Sequence, residues 1–454
     1  MPSPSPARPL HSHYRWVVCS LLFFATTCNY LDRQVISYLK EYFCMPIAQG
    51  GFGWSNTDYS NLTSWFTLFY AGMTVIAGWV IDKIGTKLGL ALSLTIWSIF
   101  GILNAFVGRL VAMHIMVRSA FGVGEAGNFP ASIKTVTEWF PRRERALATG
   151  IFNSGSSVGP MIAAFFIPWC LIHFGYEKGW KMAFILTGAI GFIWLIFWYW
   201  LYEIPSRQMR LSRAEFDYIH SDEESKPVQD VGAPKEKVSW LQLFRYRQTW
   251  AFFAGKFMTD GIWWFYLFWL PDYLRKQFGM TTQELRLPTF IVYGVAIFGS
   301  IYGGSIPLTF MKKGMPVYRA RMLAMLLIAI FPLTVLSTQY FGDVAHFGKM
   351  AAALAVGTIC IGVAAHQAWS ANLFTTVSDM FPKKAVGSVV GIGTMAGGIG
   401  GVIVQKLAGR LTDVYASTPQ TAYLIMFVIC ALSYLTAWCI IKALVPRHKV
   451  ITDL

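Results

Sequence analysis

Again and again this chain runs for about twenty residues on apolar side chains, breaks at a short polar stretch and starts over. A helix that crosses the hydrocarbon of a bilayer needs about 20 such residues. Runs on that scale lie near 15–39, 58–81, 88–107, 110–133, 146–172, 181–202, 248–273, 288–311, 320–340, 347–377, 386–411 and 420–444. Each is predicted to be a transmembrane helix, because a backbone in lipid has to satisfy its own hydrogen bonds. The expected fold class is an all-α membrane protein with twelve spans. Charged residues make up 13% of the chain and hydrophobic ones 55%, whereas soluble domains are about 25% charged. A large soluble core would still need a charged skin. The 18 tryptophans suit interfacial belts on either side of a membrane.

The formal net charge of +15 raises nucleic acid as a partner. The lysines and arginines, however, fall mainly in short segments between apolar runs, the pattern of loops that face an anionic leaflet. Lys83 and Lys87, then Arg142, Arg143 and Arg145, lie on the amino-terminal side if the helices alternate. So do Lys312, Lys313, Arg319 and Arg321, then Lys383 and Lys384, then Arg447 and Lys449. The lipid bilayer is therefore the expected partner, and both termini are expected in the cytoplasm. Arg275, Lys276 and Arg286 form the densest basic cluster on the other side. The seven cysteines show no C-x-x-C spacing and lie mostly in apolar runs, so they read as packing residues rather than disulfides or metal ligands. The polar start "MPSPSPARPLHSHYR" precedes an apolar run too long for the core of a cleavable signal.

One connection is long. Residues 203–247, "EIPSRQMRLSRAEFDYIHSDEESKPVQDVGAPKEKVSWLQLFRYRQ", are polar and charged, and they divide the chain into six-helix bundles at 15–202 and 248–444. Tails are expected at 1–14 and 445–454. The halves resemble each other. "EWFPRRERALATGI" from Glu138 and "DMFPKKAVGSVVGI" from Asp379 align Pro141 with Pro382 and Gly150 with Gly391. Gly159 and Gly400 keep the same offset of 241 residues (382 − 141 = 400 − 159). A duplicated bundle with a central linker is a transporter layout, with a cavity between the repeats near the midplane.

"GWVIDKIGTK", between the second and third runs, resembles the loop signature of the major facilitator superfamily. In it Gly78 is expected to allow close helix approach and Gly85 a tight turn. Asp82 is expected to pair with basic residues or a helix end, with Lys83 and Lys87 as the basic members of the latch. The matching loop of the second half, "GGSIPLTFMKKGMPVYRAR", has no acidic residue, so the latch is expected to be lopsided. "RSAFGVGEAGNFPAS", beginning at Arg118, matches the superfamily's fourth-span pattern, and "GSSVGP" partly matches the fifth. With "NYLDRQ", "WWFYLFWLPDYL" and "HQAWSANLFTTVSDMFP", the chain is similar to the anion:cation symporter family, and within it to bacterial hexuronate transporters. The resemblance implies proton-coupled import of a sugar-acid anion at a bacterial inner membrane, by alternating access of two pseudo-symmetric halves. It also implies a functional monomer. No cofactor is expected, only a proton gradient, and no metal.

Ionised side chains in the bilayer cost at least about 2.5–3.5 kcal/mol on insertion scales, so they face a cavity or a partner. Arg33 offers a fork of donors suited to a carboxylate. Asp32 points about 100° away around the helix and can carry a proton. A structural salt bridge is the bland alternative. Glu125 lies among glycines, seven residues after Arg118; the resemblance implies that it and Asp32 belong to the proton-coupling machinery, and that the Asp-Arg pair also contributes carboxylate binding. Permanent pairing of Glu125 with Arg118 or Arg33 is its alternative. Tyr70 can donate to a carboxylate or sugar hydroxyl, Tyr30 likewise, or both are packing tyrosines. Asn153 and Ser156 on the fifth span have Thr394 and Gly397 as repeat partners.

"HQAWSAN" gathers His366, Gln367, Trp369, Ser370 and Asn372 within two turns. It combines hydrogen-bonding groups with an aromatic plane, as polyol recognition requires; a packing histidine is the alternative for His366. Lys256 and Asp260 are spaced to pair along one helix, either as structure or as an extension of the anion site. No nucleophile motif, metal spacing or phosphate loop points to an enzyme. Other organic anions (galactonate, tartrate, a small aromatic acid) remain as substrates, and a membrane sensor or scaffold as a reading of another class.

Overall fold

The protein, described by a computed structural model over residues 12–221 and 240–451, is a bundle of helices that run the length of the expected spans. The first span is Tyr14–Cys44, the second Asn56–Ile84 and the third Thr86–Leu103. The fourth comes in two pieces, Val111–Glu125 and Asn128–Trp139. The fifth and sixth are one helix by hydrogen bonding, Arg142–Leu201, turned at Gly175 (φ 70°). A short helix, Arg213–His220, belongs to the linker. The seventh span is Arg247–Phe278 and the eighth Arg286–Lys312. The ninth, Val317–Ile330, tightens into a 3₁₀ stretch at Phe331–Ser337, where Pro332 removes a donor. Ala351–Met380, Lys383–Val414 and Pro419–Leu444 complete the twelve. Linker residues 222–239, the first eleven residues and the last three lie outside the described residues.

The internal repeat is visible in the helix ends. Phe140 and Phe381, 241 residues apart, both leave helical geometry for extended backbone. Each caps its helix by donating its N–H to the residue four back, Val136 and Val377, at 3.0 Å. Pro141 and Pro382 follow as the residues preceding the fifth and eleventh spans, where a fixed φ suits a helix start. Gly159 of the fifth span presses on the backbone of the first: a Cβ there would sit 2.6 Å from the Thr27 carbonyl oxygen. Gly400 presses in the same way on Phe257 of the seventh. Such small-residue contacts let helix backbones approach where lipid supplies no hydrophobic drive. Gly150 has open space around it, so its place in the repeat has no packing account.

The first and seventh spans sit at the centre. Ala25–Lys40 is buried without interruption, and so is Gly261–Leu274. The first packs on the fifth–sixth helix, the seventh on the eleventh and twelfth. The halves meet where the second span contacts the eleventh, the fifth–sixth helix the eighth, and the first the seventh. Eight described helices are long and apolar enough to cross a membrane on those grounds alone. The first, fourth and seventh spans are not among them. These three carry Arg33, Glu125 and Lys256, and protein rather than lipid surrounds their charges.

Candidate functional site

In the first span, Arg33 is buried where the two halves meet and pairs with a carboxylate that the protein itself provides. Its Nε and Nη2 donate to one oxygen of Glu125, at 3.0 and 2.8 Å, and Nη2 also to Asn29 Oδ1 at 3.2 Å. The Arg33 side chain is 1% exposed and that of Glu125 0%. Aromatic rings close the cage, with the guanidinium carbon 4.3 Å from the Tyr30 ring, 4.8 Å from Tyr70 and 5.0 Å from Trp264. Trp264 comes from the seventh span, so both halves build the cage. The second oxygen of Glu125 has no hydrogen-bond partner. The fork that suits a carboxylate is thus occupied by one, held through a single oxygen.

Asp32 points away from that pair, as the helical rotation requires. It is 2% exposed, faces the Thr187 hydroxyl and the Trp97 indole, and closes a hydrogen bond with neither. Arg118 pairs with neither carboxylate: its Nη2 donates to the backbone carbonyls of Arg33 (2.8 Å) and Asp32 (3.4 Å). Its guanidinium lies 4.1 Å from the Phe121 ring. Helical hydrogen bonding tightens at Ala126–Gly127, directly after Glu125, where the Gly127 N–H donates to Gly124 three residues back while both residues keep right-handed helical dihedrals.

In the second half, Lys256 and Asp260 form the pair that their spacing predicts, at 2.5 Å, with side chains 6% and 19% exposed. Within "HQAWSAN", His366 and Trp369 face the twelfth span together, and Asn372 turns to the eighth. His366 Nδ1 shares a hydrogen bond with the Tyr434 hydroxyl at 2.8 Å, and its ring stacks on Trp263. Trp369 is fully buried edge-on against Tyr434. Asn372 instead donates to the carbonyls of Gly303 on the eighth span and Ala368, both at 2.9 Å. Gln367 and Ser370 are half-buried. So are Asn153 and Thr394, whose hydroxyl bonds back to Val390; Ser156 is buried.

The signature loop behaves largely as expected. Gly85 turns with φ 85°, Asp82 reaches Lys134 at 2.9 Å, Lys87 reaches Glu203 at 2.7 Å, and Lys83 lies over the Trp79 ring. Two expectations change. A Cβ on Gly78 would meet only Pro130, at an ordinary 3.9 Å, so no close approach requires glycine there. The second half does carry a counterpart latch, because Arg321 finds Asp379 at 2.6 Å, an acid contributed by the tenth span and not by the loop.

Sequence reasoning missed the seal between the halves. Among the described residues, every hydrogen bond and ion pair recorded between them lies at the level of Gln34 and beyond, on the side away from the termini. Lys40, 1% exposed, meets Asp272 at 2.6 Å. Arg275 meets Glu41 at 3.0 Å, the Asn56 backbone and amide donate to Asp413, and Gln34 donates to the Tyr293 hydroxyl at 2.9 Å. Among the described residues, the ion pairs at the terminal end lie within one half, as with Asp82–Lys134 and Arg321–Asp379, or join the first half to the linker, as with Arg15–Glu215. The recorded bonds between the halves thus tie the far end together. A lysine persisting past the predicted end of the first span was the available signal. Its partner, more than two hundred residues on, left none.

Residues 22–405 match the model of the Major Facilitator Superfamily. The chain belongs to that family. It is a multi-pass membrane transporter and not an enzyme. It is 30% identical to the hexuronate transporter of Escherichia coli K12 over 429 residues, which is 94% of each chain. It is 32% identical to the galacturonate transporter of Dickeya chrysanthemi over 66% of this chain and 83% of that one. Among solved structures, a bacterial homolog of the human lysosomal transporter Spinster, inward-facing and occupied, covers 98% of this chain and 100% of its own. Its TM-score is 0.73 at 16% identity, a likeness of fold alone.

Proposed function

We propose that the protein imports a sugar-acid anion together with a proton, and that the anion is a hexuronate such as glucuronate or galacturonate. The observation that carries this reading is the caged Arg33–Glu125 pair at the meeting of the two halves. A guanidinium in a dry aromatic cage needs one carboxylate. A bare cation, or one cation facing two anions, is costly there. Glu125 serves while the carrier is empty. When Glu125 takes a proton, the guanidinium is free for the carboxylate of the substrate, and the site holds the same net charge. Charge-balanced forms rearrange readily and partly loaded ones do not, which ties the anion to the proton. Asp32, buried and without a hydrogen bond, is the second candidate proton carrier. Tyr30 and Tyr70, beside the guanidinium, are placed to offer hydroxyls to the sugar.

Basic loops at the terminal end support a cytoplasmic assignment for it. The bonded far end is then periplasmic. The names of the relatives support the substrate class, and the complete set of twelve spans in one chain supports a functional monomer in a bacterial inner membrane. Uptake of radiolabelled glucuronate into proteoliposomes, with and without an inward proton gradient, tests the reading. The gradient is expected to drive accumulation. Binding without accumulation would mark a sensor, and transport indifferent to the gradient would remove the proton.

A further inference from the structure

Two hydroxyls of the fourth span stay open where helical hydroxyls elsewhere in the chain close. Thr63, Thr67, Thr259 and Thr412 each donate to a carbonyl four residues back, and Thr137 of the fourth span to one three back. Ser132 and Thr135, both fully buried, close on none. With Asn128 and Trp139 they share one face of Asn128–Trp139, at spacings of four, three and four. Asn128 Oδ1 and Trp139 Nε1 lack hydrogen-bond partners too, and so do the Trp97 indole and the Asp32 carboxylate that faces it. Buried polar atoms without a protein partner are the groups that ordered water satisfies.

The row ends where a proton would start and where it would leave. Its inner end is one helical turn from Glu125, where the Asn128 amide donates to the Thr26 hydroxyl of the first span at 3.3 Å. At the outer end Thr135 faces the Tyr202 hydroxyl of the sixth span. That hydroxyl lies 2.6 Å from Thr86 Oγ1, and Glu138 Oε2 is within reach of both, at 3.2 and 2.9 Å. Glu138 is half-buried at the terminal end, about 20 Å along the span from Glu125 at the helical rise per residue. The tenth span does not repeat the row at the places 241 residues on (373 − 132 = 380 − 139). Leu373 stands for Ser132 and Met380 for Trp139. The Thr376 hydroxyl, in the place of Thr135, closes on the Leu373 carbonyl at 2.6 Å. The row therefore belongs to the half that holds Glu125 and Asp32.

We infer that this face binds a file of water molecules that carries the proton from Glu125 to Glu138, an exit inside the first half and apart from the anion's path between the halves. The inference rests on the proton-coupled reading above and adds the route of release. At each step a water accepts a proton on one side and gives one up on the other. Glu125 is left as the carboxylate that pairs with Arg33, and Glu138 passes the proton to solution.

Glucuronate-driven acidification inside proteoliposomes, read with a trapped pH dye, tests the route in Ser132→Ala/Thr135→Val, which removes both hydroxyls at little change of volume. The initial rate is expected to fall about tenfold. Counterflow should keep its rate, because exchange needs no proton release on each turn. Final accumulation should keep its wild-type level, because a slower path leaves the equilibrium alone. Ser132→Thr/Thr135→Ser, which retains both hydroxyls, is expected to keep the wild-type rate. Unchanged acidification in the first variant, or counterflow lost along with it, would overturn the inference. Radiolytic hydroxyl-radical labelling of the wild-type chain tests the water itself. Trp97 and Trp139 are expected to be labelled well above Trp269, which is equally buried but has its N–H on Gln405; labelling no higher than that of Trp269 would also overturn it. If glucuronate moves no proton in the wild type while both tryptophans are labelled, the proton-coupled reading fails and the water-binding row stands.

Discussion

Asp32 and Arg33 are neighbours in sequence that serve different partners, because successive side chains on a helix diverge by about 100°. Their presence in an apolar run was plain from the sequence. The identity of the group that holds Arg33 was not, since Glu125 is ninety-two residues away and had Arg118 as well as Arg33 for a candidate partner. Arg33→Lys replaces a planar fork with a point charge. Initial-rate uptake in proteoliposomes should show the KM for glucuronate rising about tenfold or more, or saturation lost. Wild-type KM in this variant would remove the carboxylate role. His366 shows the limit of reading residues by spacing alone: helical periodicity put it with Trp369, and both do face one way, but toward Tyr434 of the twelfth span.

Among elements, the spans were legible because lipid permits only long apolar helices, whereas the 3₁₀ stretch of the ninth span, where Pro332 removes a donor, lies inside a run that reads as one apolar helix. The two glycine sets separate by the same physics. Gly159→Leu drives a side chain into the first span's backbone and should abolish monodisperse folded protein in detergent. Gly78→Ala meets only ordinary contact and should keep or raise the melting temperature, since glycine inside a helix costs about 0.5–1 kcal/mol relative to alanine. A fall of several degrees would show that close approach matters there after all. The linker helix makes a pH prediction. Burial alone would raise the Glu215 carboxyl, but hydrogen bonds from Ser12, the Tyr14 and Arg15 backbones and the Arg15 guanidinium outweigh it and hold it below its ordinary value. A depressed carboxyl stabilises the docked helix above the unfolded-state pKa and loses that effect as pH falls through the folded one. Protection factors for hydrogen exchange over 213–220, corrected for the intrinsic pH dependence of the rate, should therefore fall on acidification, and much less so in Glu215→Gln. Identical pH profiles for the two proteins would contradict it.

At the scale of the whole molecule, the duplication could be read from a single offset of 241 residues, but the state could not. Which end is closed depends on contacts such as Lys40–Asp272 and Asn56–Asp413, between residues that no local pattern links. Lys40→Met leaves Asp272 with less compensation and should favour opening of the far end. Distances between spin labels at Gln49 and Gln283, on the far-end loops of opposite halves, should lengthen in that variant; an unchanged distribution would show that the pair does not hold the seal. The central claim is that one guanidinium passes between the protein's carboxylate and the substrate's. It is tested most directly by comparing glucuronate counterflow with gradient-driven accumulation in Glu125→Gln proteoliposomes. Counterflow should persist while accumulation against a gradient is lost, and equal loss of both, or retention of both, would contradict the account.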